Sequence, residues 1–215
     1  MKNGIKLAAI LTLGVSTMFA QNALTSEGKQ VFLKSDGTWE YVEQPTNGIN
    51  YRDLNDEEFY VDKKATFLVK SKRNPKYGIY LDPKKWKFEV NDNEDDSTEY
   101  ILRTKIDGKT VYGTFSADKS NATVDEIFNA VMEEIRTVDE DAKISIEEDR
   151  IVNGNKVTFY KVDGDMLDIH FSVFFYIYAN GEESFVAEVH TSKNLDDHKT
   201  TQKLFKMLNN VVTVK

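Results

Sequence analysis

Leu167-Asp168-Ile169-His170-Phe171-Ser172-Val173-Phe174-Phe175-Tyr176-Ile177-Tyr178, then Ala179-Asn180-Gly181, then Glu183-Ser184-Phe185-Val186-Ala187-Glu188-Val189-His190-Thr191, is the stretch that decides the fold. β-Branched and aromatic residues dominate both runs, and the Asn-Gly pair between them supports the positive φ of a tight turn. The two runs therefore read as a long β-hairpin. On the first strand Leu167, Ile169, Phe171, Val173, Phe175 and Ile177 share one face. Asp168, His170, Ser172, Phe174, Tyr176 and Tyr178 share the other. On the second, Phe185, Ala187 and Val189 oppose Val186, Glu188 and His190. Matching the two apolar faces requires an odd-length loop, which Ala179-Asn180-Gly181 supplies with Gly181 in the left-handed position. That register sets His170 opposite His190 and Ser172 opposite Glu188, with Glu188 diagonal to His170. Two imidazoles and a carboxylate on one face can ligate a metal or titrate near neutrality, so His170, His190 and Glu188 are the candidate metal site. The same residues also fit a polar patch satisfied by hydrogen bonds or covered by a helix.

Moving outward, residues 142–147 and 156–162 read as strands around Asn153-Gly154. Before them Thr123 and Glu126 form a capping-box pair, and Ile127, Phe128, Val131, Met132, Ile135 and Val138 recur at helical spacing. Residues 77–81, 86–90, 99–105 and 110–116 read as strands, with Asp107-Gly108 as a turn. After the long hairpin a helix is expected over about 195–210, capped by Asn194, with Leu204, Phe205, Leu208 and Val211 on its buried stripe. The order is ββββ-α-ββββ-α. Consecutive strands are joined too tightly for crossovers, so the expected class is α+β, a mainly antiparallel sheet with packed helices.

Ahead of this domain, residues 28–33 and 38–42 look like two short strands around Ser35-Asp36-Gly37, a small N-terminal hairpin. Residues 44–50, with Pro45 and Asn47-Gly48, read as a linker, residues 53–58 as an acidic segment, and residues 65–70 as a possible edge strand. The expected organisation is a leader over 1–20, a hairpin unit over 21–43, a linking segment over 44–74 and the main domain over 75–215.

The chain resembles the PsbP and DcrB family of small bacterial and plastid α/β/α domains over residues 75–212. The likeness is carried by Tyr77-Gly78-Ile79-Tyr80-Leu81-Asp82-Pro83-Lys84-Lys85-Trp86, by Glu147-Glu148-Asp149-Arg150-Ile151-Val152-Asn153-Gly154, and by the ending Met207-Leu208-Asn209-Asn210-Val211-Val212. The resemblance implies a PsbP-like sandwich and an accessory or binding role at the cell envelope. Separately, Asp36-Gly37-Thr38-Trp39-Glu40-Tyr41 is similar to a short N-terminal motif of exported proteins from Bacteroidetes-type bacteria.

Export is expected from the first residues. Lys2 and Lys6 precede an apolar run over 7–15, and Met18-Phe19-Ala20 offers a small residue for cleavage, so the mature chain should begin at Gln21. The run is too short to span a bilayer comfortably. Without Lys2 and Lys6, 26 basic residues stand against 36 acidic ones, a balance that argues against nucleic acid or anionic lipid as a partner. The absence of cysteine excludes disulfides, thiol nucleophiles, thiolate metal sites and a cysteine-linked lipid anchor.

The sequence holds no Gly-x-Ser-x-Gly elbow, glycine-rich phosphate loop or His-Glu-x-x-His helix. The acidic run 92–96 lacks the central glycine and terminal glutamate of a calcium loop. Trp39 and Tyr41 on the small hairpin are candidate partner-binding aromatics. Two readings follow. The first is an extracytoplasmic accessory or binding protein that needs no cofactor and meets an envelope protein or small ligand. The second is a metal-dependent hydrolase or metal-binding protein using His170, His190 and Glu188.

Overall fold

The computed structural model describes residues 21–24, 30–33, 38–41, 52–93, 96–106, 108–167, 169–192 and 198–214. Residues 1–20, read as a leader, residues 44–50, read as a linker, and Asn194, read as a helix cap, lie outside them. Near the N-terminus, β1 (Gln21–Leu24), β2 (Gln30–Leu33) and β3 (Trp39–Tyr41) form an antiparallel three-stranded sheet. The chain continues through β4 (Leu54–Phe59), β5 (Phe67–Lys70), β6 (Tyr77–Leu81), β7 (Lys87–Val90), β8 (Tyr100–Ile106) and β9 (Lys109–Asp118). Helix α1 (Val124–Val138) follows, then β10 (Lys143–Val152), β11 (Asn155–Met166), β12 (Ile169–Ala179) and β13 (Ser184–Ser192), and finally α2 (His198–Leu208) and β14 (Val211–Thr213).

An eight-stranded sheet in the order β4-β10-β11-β12-β13-β9-β8-β7 organises the chain. Among the described residues of this sheet only the β4-β10 pair is parallel. A smaller antiparallel sheet, β14-β6-β5, and α2 lie against one face; α1 lies against the other. The class is thus α+β, a mostly antiparallel sheet with two packed helices.

Two cores result because both faces are buried. Phe159, Phe174, Tyr176, Phe185, Ala187 and Val189 meet Ile79, Leu81, Leu204, Leu208 and Val211 on the α2 side. Tyr160, Val162, Val173, Phe175 and Ile177 meet Phe128, Val131, Met132 and Ile135 on the α1 side. Helix α1 starts where the sequence places it: the Thr123 hydroxyl accepts from the Glu126 amide, and the Glu126 carboxylate accepts from the Thr123 amide.

The hairpin register differs from the sequence expectation. Ala179 pairs with Ser184, so residues 180–183 form a four-residue loop in place of Ala179-Asn180-Gly181. Asn180 Oδ1 accepts from the amides of Glu182 at 3.0 Å and Glu183 at 2.9 Å, and Gly181 takes φ +86°. The change turns every residue of β13 to the opposite face. Its physical cause is the second core. The expectation assumed one buried face, whereas Phe174 and Tyr176 are as deeply buried as Phe175, and Val189 and Ala187 pair with them.

Residues 52–74 are built into the main domain rather than linking to it. Strand β4 pairs with β10, Val69 of β5 belongs to the α2-side core, and the Ser71 hydroxyl donates to Glu99 at 2.7 Å in a buried position. The acidic reading of 53–58 missed β4 because its outward charges hide an edge strand anchored by Phe59.

Candidate functional site

Strand register decides where the three proposed metal ligands stand. His190 pairs across to Val173 on β12 and to Tyr112 on β9, on the α1 side of the sheet. Its side chain is 9% exposed, and Nε2 lies 3.2 Å from Glu188 Oε2. Nδ1 is buried without a partner among the described residues. His170 stands on the other face, opposite Asp165, with Nδ1 3.5 Å from Asp165 Oδ1 and Nε2 3.8 Å from Asp163 Oδ1. The sheet therefore separates His170 from His190 and Glu188, and the expected three-ligand arrangement does not form. Among the described residues no group of three or more histidines and carboxylates is placed to hold a metal ion.

The His170 side has its own order. Asp163 accepts from the Ser172 hydroxyl at 2.5 Å and pairs with Lys161 at 3.0 Å. Burial pushes the Asp163 carboxyl up, but hydrogen bonds from Ser145, Ser172 and Lys161 outweigh it and leave the group below its usual value. Ser172 is fully buried and donates to a carboxylate, so it is a structural hydroxyl.

On the α1 side, cross-strand pairing lays side chains out in rows. Glu188, Thr114, Ile101 and Glu89 form one row across β13, β9, β8 and β7; His190, Tyr112, Arg103 and Lys87 form the next. Helix α1 packs over β11 and β12, which leaves this strip beside it partly open. Glu134 stands on the flank of α1 away from Asp125. Its carboxyl is pushed up to about 7, first by burial and then by the charges of Glu188 and Asp96. Arg103 reaches Glu89 at 2.7 Å and lies over the Tyr112 ring at 5.6 Å, while its Nε is buried without a partner among the described residues. The two unpartnered buried nitrogens, His190 Nδ1 and Arg103 Nε, thus flank Tyr112 in a single row.

Sequence reasoning named His190 and Glu188 but missed Glu134, Tyr112 and Arg103. Tyr112 and Arg103 alternate on strands read from the sequence as 110–116 and 99–105 and found at Lys109–Asp118 and Tyr100–Ile106, so their shared face was accessible. Glu134 was not, because which flank of a helix meets which strand is a tertiary property.

Two arginines fasten the opposite edge. Arg52 donates to Glu147 at 2.7 Å, to the Tyr160 hydroxyl at 2.8 Å and to Asp125, joining β10, β11 and α1. Arg150 donates to Glu148 and to the Tyr176 hydroxyl between the rings of Phe59, Phe159 and Phe205. A groove of about 500 Å³ beside β4 mixes Glu57, Glu58 and Asp62 with Lys63, Lys64 and Lys206, so its charge favours neither sign. Trp39 and Tyr41 belong to β3, and their side chains lie outside the described structure.

No family model and no curated protein matches the chain. Two solved structures are similar to the chain. The chain is similar to the solution structure of cyanobacterial PsbP (CyanoP) from Synechocystis sp. PCC 6803, with a TM-score of 0.46 and 14% identity over 72% of this chain and 91% of that one. It is also similar to a crystal structure from Bacteroides thetaiotaomicron VPI-5482, with a TM-score of 0.40 and 12% identity over 66% of this chain and 46% of that one.

Proposed function

We propose that this chain is an extracytoplasmic accessory or binding protein of the bacterial cell envelope, non-catalytic, which receives its partner on the open strip of sheet beside α1. The observation that carries the reading is the polar cluster on that strip: Glu188 lies 3.2 Å from His190, whose buried Nδ1 has no partner among the described residues, and the charge of Glu188 together with burial raises the Glu134 carboxyl. Like charges held together in a partly dry cleft cost stability, and a ligand group that donates hydrogen bonds or carries positive charge relieves that cost on binding. His190 and Tyr112 add hydrogen-bonding capacity at the same place. Trp39 and Tyr41 are proposed as a second contact on the small N-terminal sheet.

The competing reading, a metal-dependent hydrolase on His170, His190 and Glu188, lacks a common point at which the three side chains meet. Export rests on the leader-like first residues, and material from the native host should have an intact mass beginning at Gln21.

The binding role is tested by size-exclusion chromatography of native-host envelope extracts. The wild-type chain is expected in an assembly larger than itself, and the Glu134→Lys/Glu188→Lys variant, folded by circular dichroism, at the volume of the free protein. Identical elution of the two would remove the strip as the partner surface.

A further inference from the structure

The formal charge of the chain is −8, yet charge is not evenly spread over the sheet. Strand pairing collects cations at one corner of the eight-stranded sheet. Lys87 pairs with Arg103, Lys105 pairs with Thr110 two residues further along β8, and Lys109 closes the β8–β9 hairpin opposite Ile106. Lys84 and Lys85 sit beside the same corner, because the Thr104 hydroxyl donates to the Lys85 carbonyl at 3.0 Å. Asp82 lies 3.9 Å from Lys85, and Glu89 2.7 Å from Arg103. Lys84, Lys87, Lys105 and Lys109 are exposed, and none of the four forms an ion pair among the described residues.

Next to these lysines the two sheets end together, β7 at the edge of the large sheet and β5 at the edge of the small one. Phe67 of β5 and Phe88 of β7 stack across the gap with ring centroids 5.8 Å apart, and remain 47% and 37% exposed. Phe88 leads inward through Tyr100 to Phe115, so the exposed rings are the outer end of a rigid aromatic series.

We infer that this corner is a peripheral docking surface for an anionic phospholipid membrane. The choice of lipid over a protein partner follows from composition. Protein interfaces favour arginine, tyrosine and tryptophan and are depleted in lysine. Here the cations without an ion pair among the described residues are all lysines, whose long stems and compact charges suit a diffuse layer of negative headgroups. Phe88 alternates with Lys87 and so faces the other side of β7 from Lys87 and Lys105; at the sheet edge its exposed ring and that of Phe67 can enter the headgroup boundary while the long lysines reach round the edge to the headgroups. Whole-chain charge argued against lipid, but only charge within about a Debye length, roughly 8 Å at physiological salt, acts on a surface the corner touches. Lys87 also ends the row of His190, Tyr112 and Arg103 on the strip beside α1, so Lys84→Glu/Lys105→Glu/Lys109→Glu, which leaves that row unchanged, tests the corner apart from the strip.

The test is co-sedimentation of the mature full chain with phosphatidylcholine vesicles, with and without phosphatidylglycerol, at low and physiological salt. Binding is expected only with phosphatidylglycerol and should weaken with salt. Each lysine is worth roughly a fivefold change in partitioning, so Lys84→Glu/Lys87→Glu/Lys105→Glu/Lys109→Glu should reduce it by roughly a hundredfold or more. Phe67→Ser/Phe88→Ser should weaken binding while keeping its salt dependence, and Lys119→Glu/Lys199→Glu, away from the corner, should leave it unchanged. Circular dichroism checks that each variant is folded. Equal binding to both vesicle types, no binding at low salt, or full binding by the fourfold variant would overturn the inference. Equally tight capture of poly-glutamate or duplex DNA would overturn the assignment to lipid.

Discussion

The guanidinium carbon of Arg150 lies 3.7 Å from the centre of the Phe159 ring, and its Nε donates to Glu148 Oε1 at 2.5 Å. Arg150 Nη1 donates to the Tyr176 hydroxyl at 2.9 Å, which donates in turn to Asn209 Oδ1 at 2.6 Å. One side chain therefore connects β10, β12 and the end of α2. Its side chain is 9% exposed, so the cation is tolerated because it is both paired and stacked.

Arg150→Ala should strand Glu148 and the Tyr176 hydroxyl, at a cost of about 3–5 kcal/mol. Arg150→Met, which keeps the volume, with Glu148→Gln should recover much of this. Urea unfolding of the single and double variants measures both. A loss under 1 kcal/mol in Arg150→Ala would show that the stack contributes little.

The raised Glu134 carboxyl makes stability depend on pH. The folded state holds its proton up to about 7 while the unfolded chain releases it near the ordinary glutamate value, so in that interval the folded state binds more protons. Stability should therefore rise as pH falls from about 7 towards the ordinary value. Glu134→Gln should raise Tm at pH 8 and change it little at pH 5. Thermal melts across this range check the sign, and a Tm gain confined to acid pH would contradict it.

Two glycines should respond differently to alanine. At Gly181, φ is +86° and a Cβ would meet nothing within 4 Å, so Gly181→Ala should cost about 1 kcal/mol of backbone strain alone. At Gly113 a Cβ would stand 2.5 Å from the Glu188 carbonyl oxygen and 3.2 Å from Met207 Cε, which forces β9 and β13 apart. Gly113→Ala should cost more, and equal midpoints in denaturant would refute the distinction.

Shortening the chain separates the expected domain limit from the observed one. A chain beginning at Arg52 keeps β4 and β5 and should fold. One beginning at Lys72 loses Val69 and Phe59, leaves β6 without a partner on one edge and uncovers Arg150, so it should show a lower and broader melt. Matching melts would restore residues 75–215 as a self-sufficient unit.

Periodicity within one element was legible, and relations between elements much less so. Thr123 and Glu126 announced the first helix, and the limits of 77–81 were read directly because apolar alternation and flanking turn residues are local signals. The four-residue loop at Asn180 was missed because either register buries one apolar face, and only the second core on the α2 side makes the observed pairing better. Strand β4 was missed because its partner β10 lies about a hundred residues away and its own residues are mostly charged. The site followed the same division. Glu188 and His190 were seen as neighbours on one strand, whereas the charge of Glu188 acts on Glu134 only through the placement of α1.

Site-specific photocrosslinking at Thr114, between Glu188 and Ile101 on the open strip, tests the binding surface most directly. The cysteine-free chain accepts a single Thr114→Cys carrying a photoreactive group, with Lys143→Cys at the far edge of the sheet as the control. In native-host envelopes the account predicts one dominant adduct from position 114, abolished by Glu134→Lys/Glu188→Lys and absent from position 143. Equal or absent labelling from the two positions would contradict it.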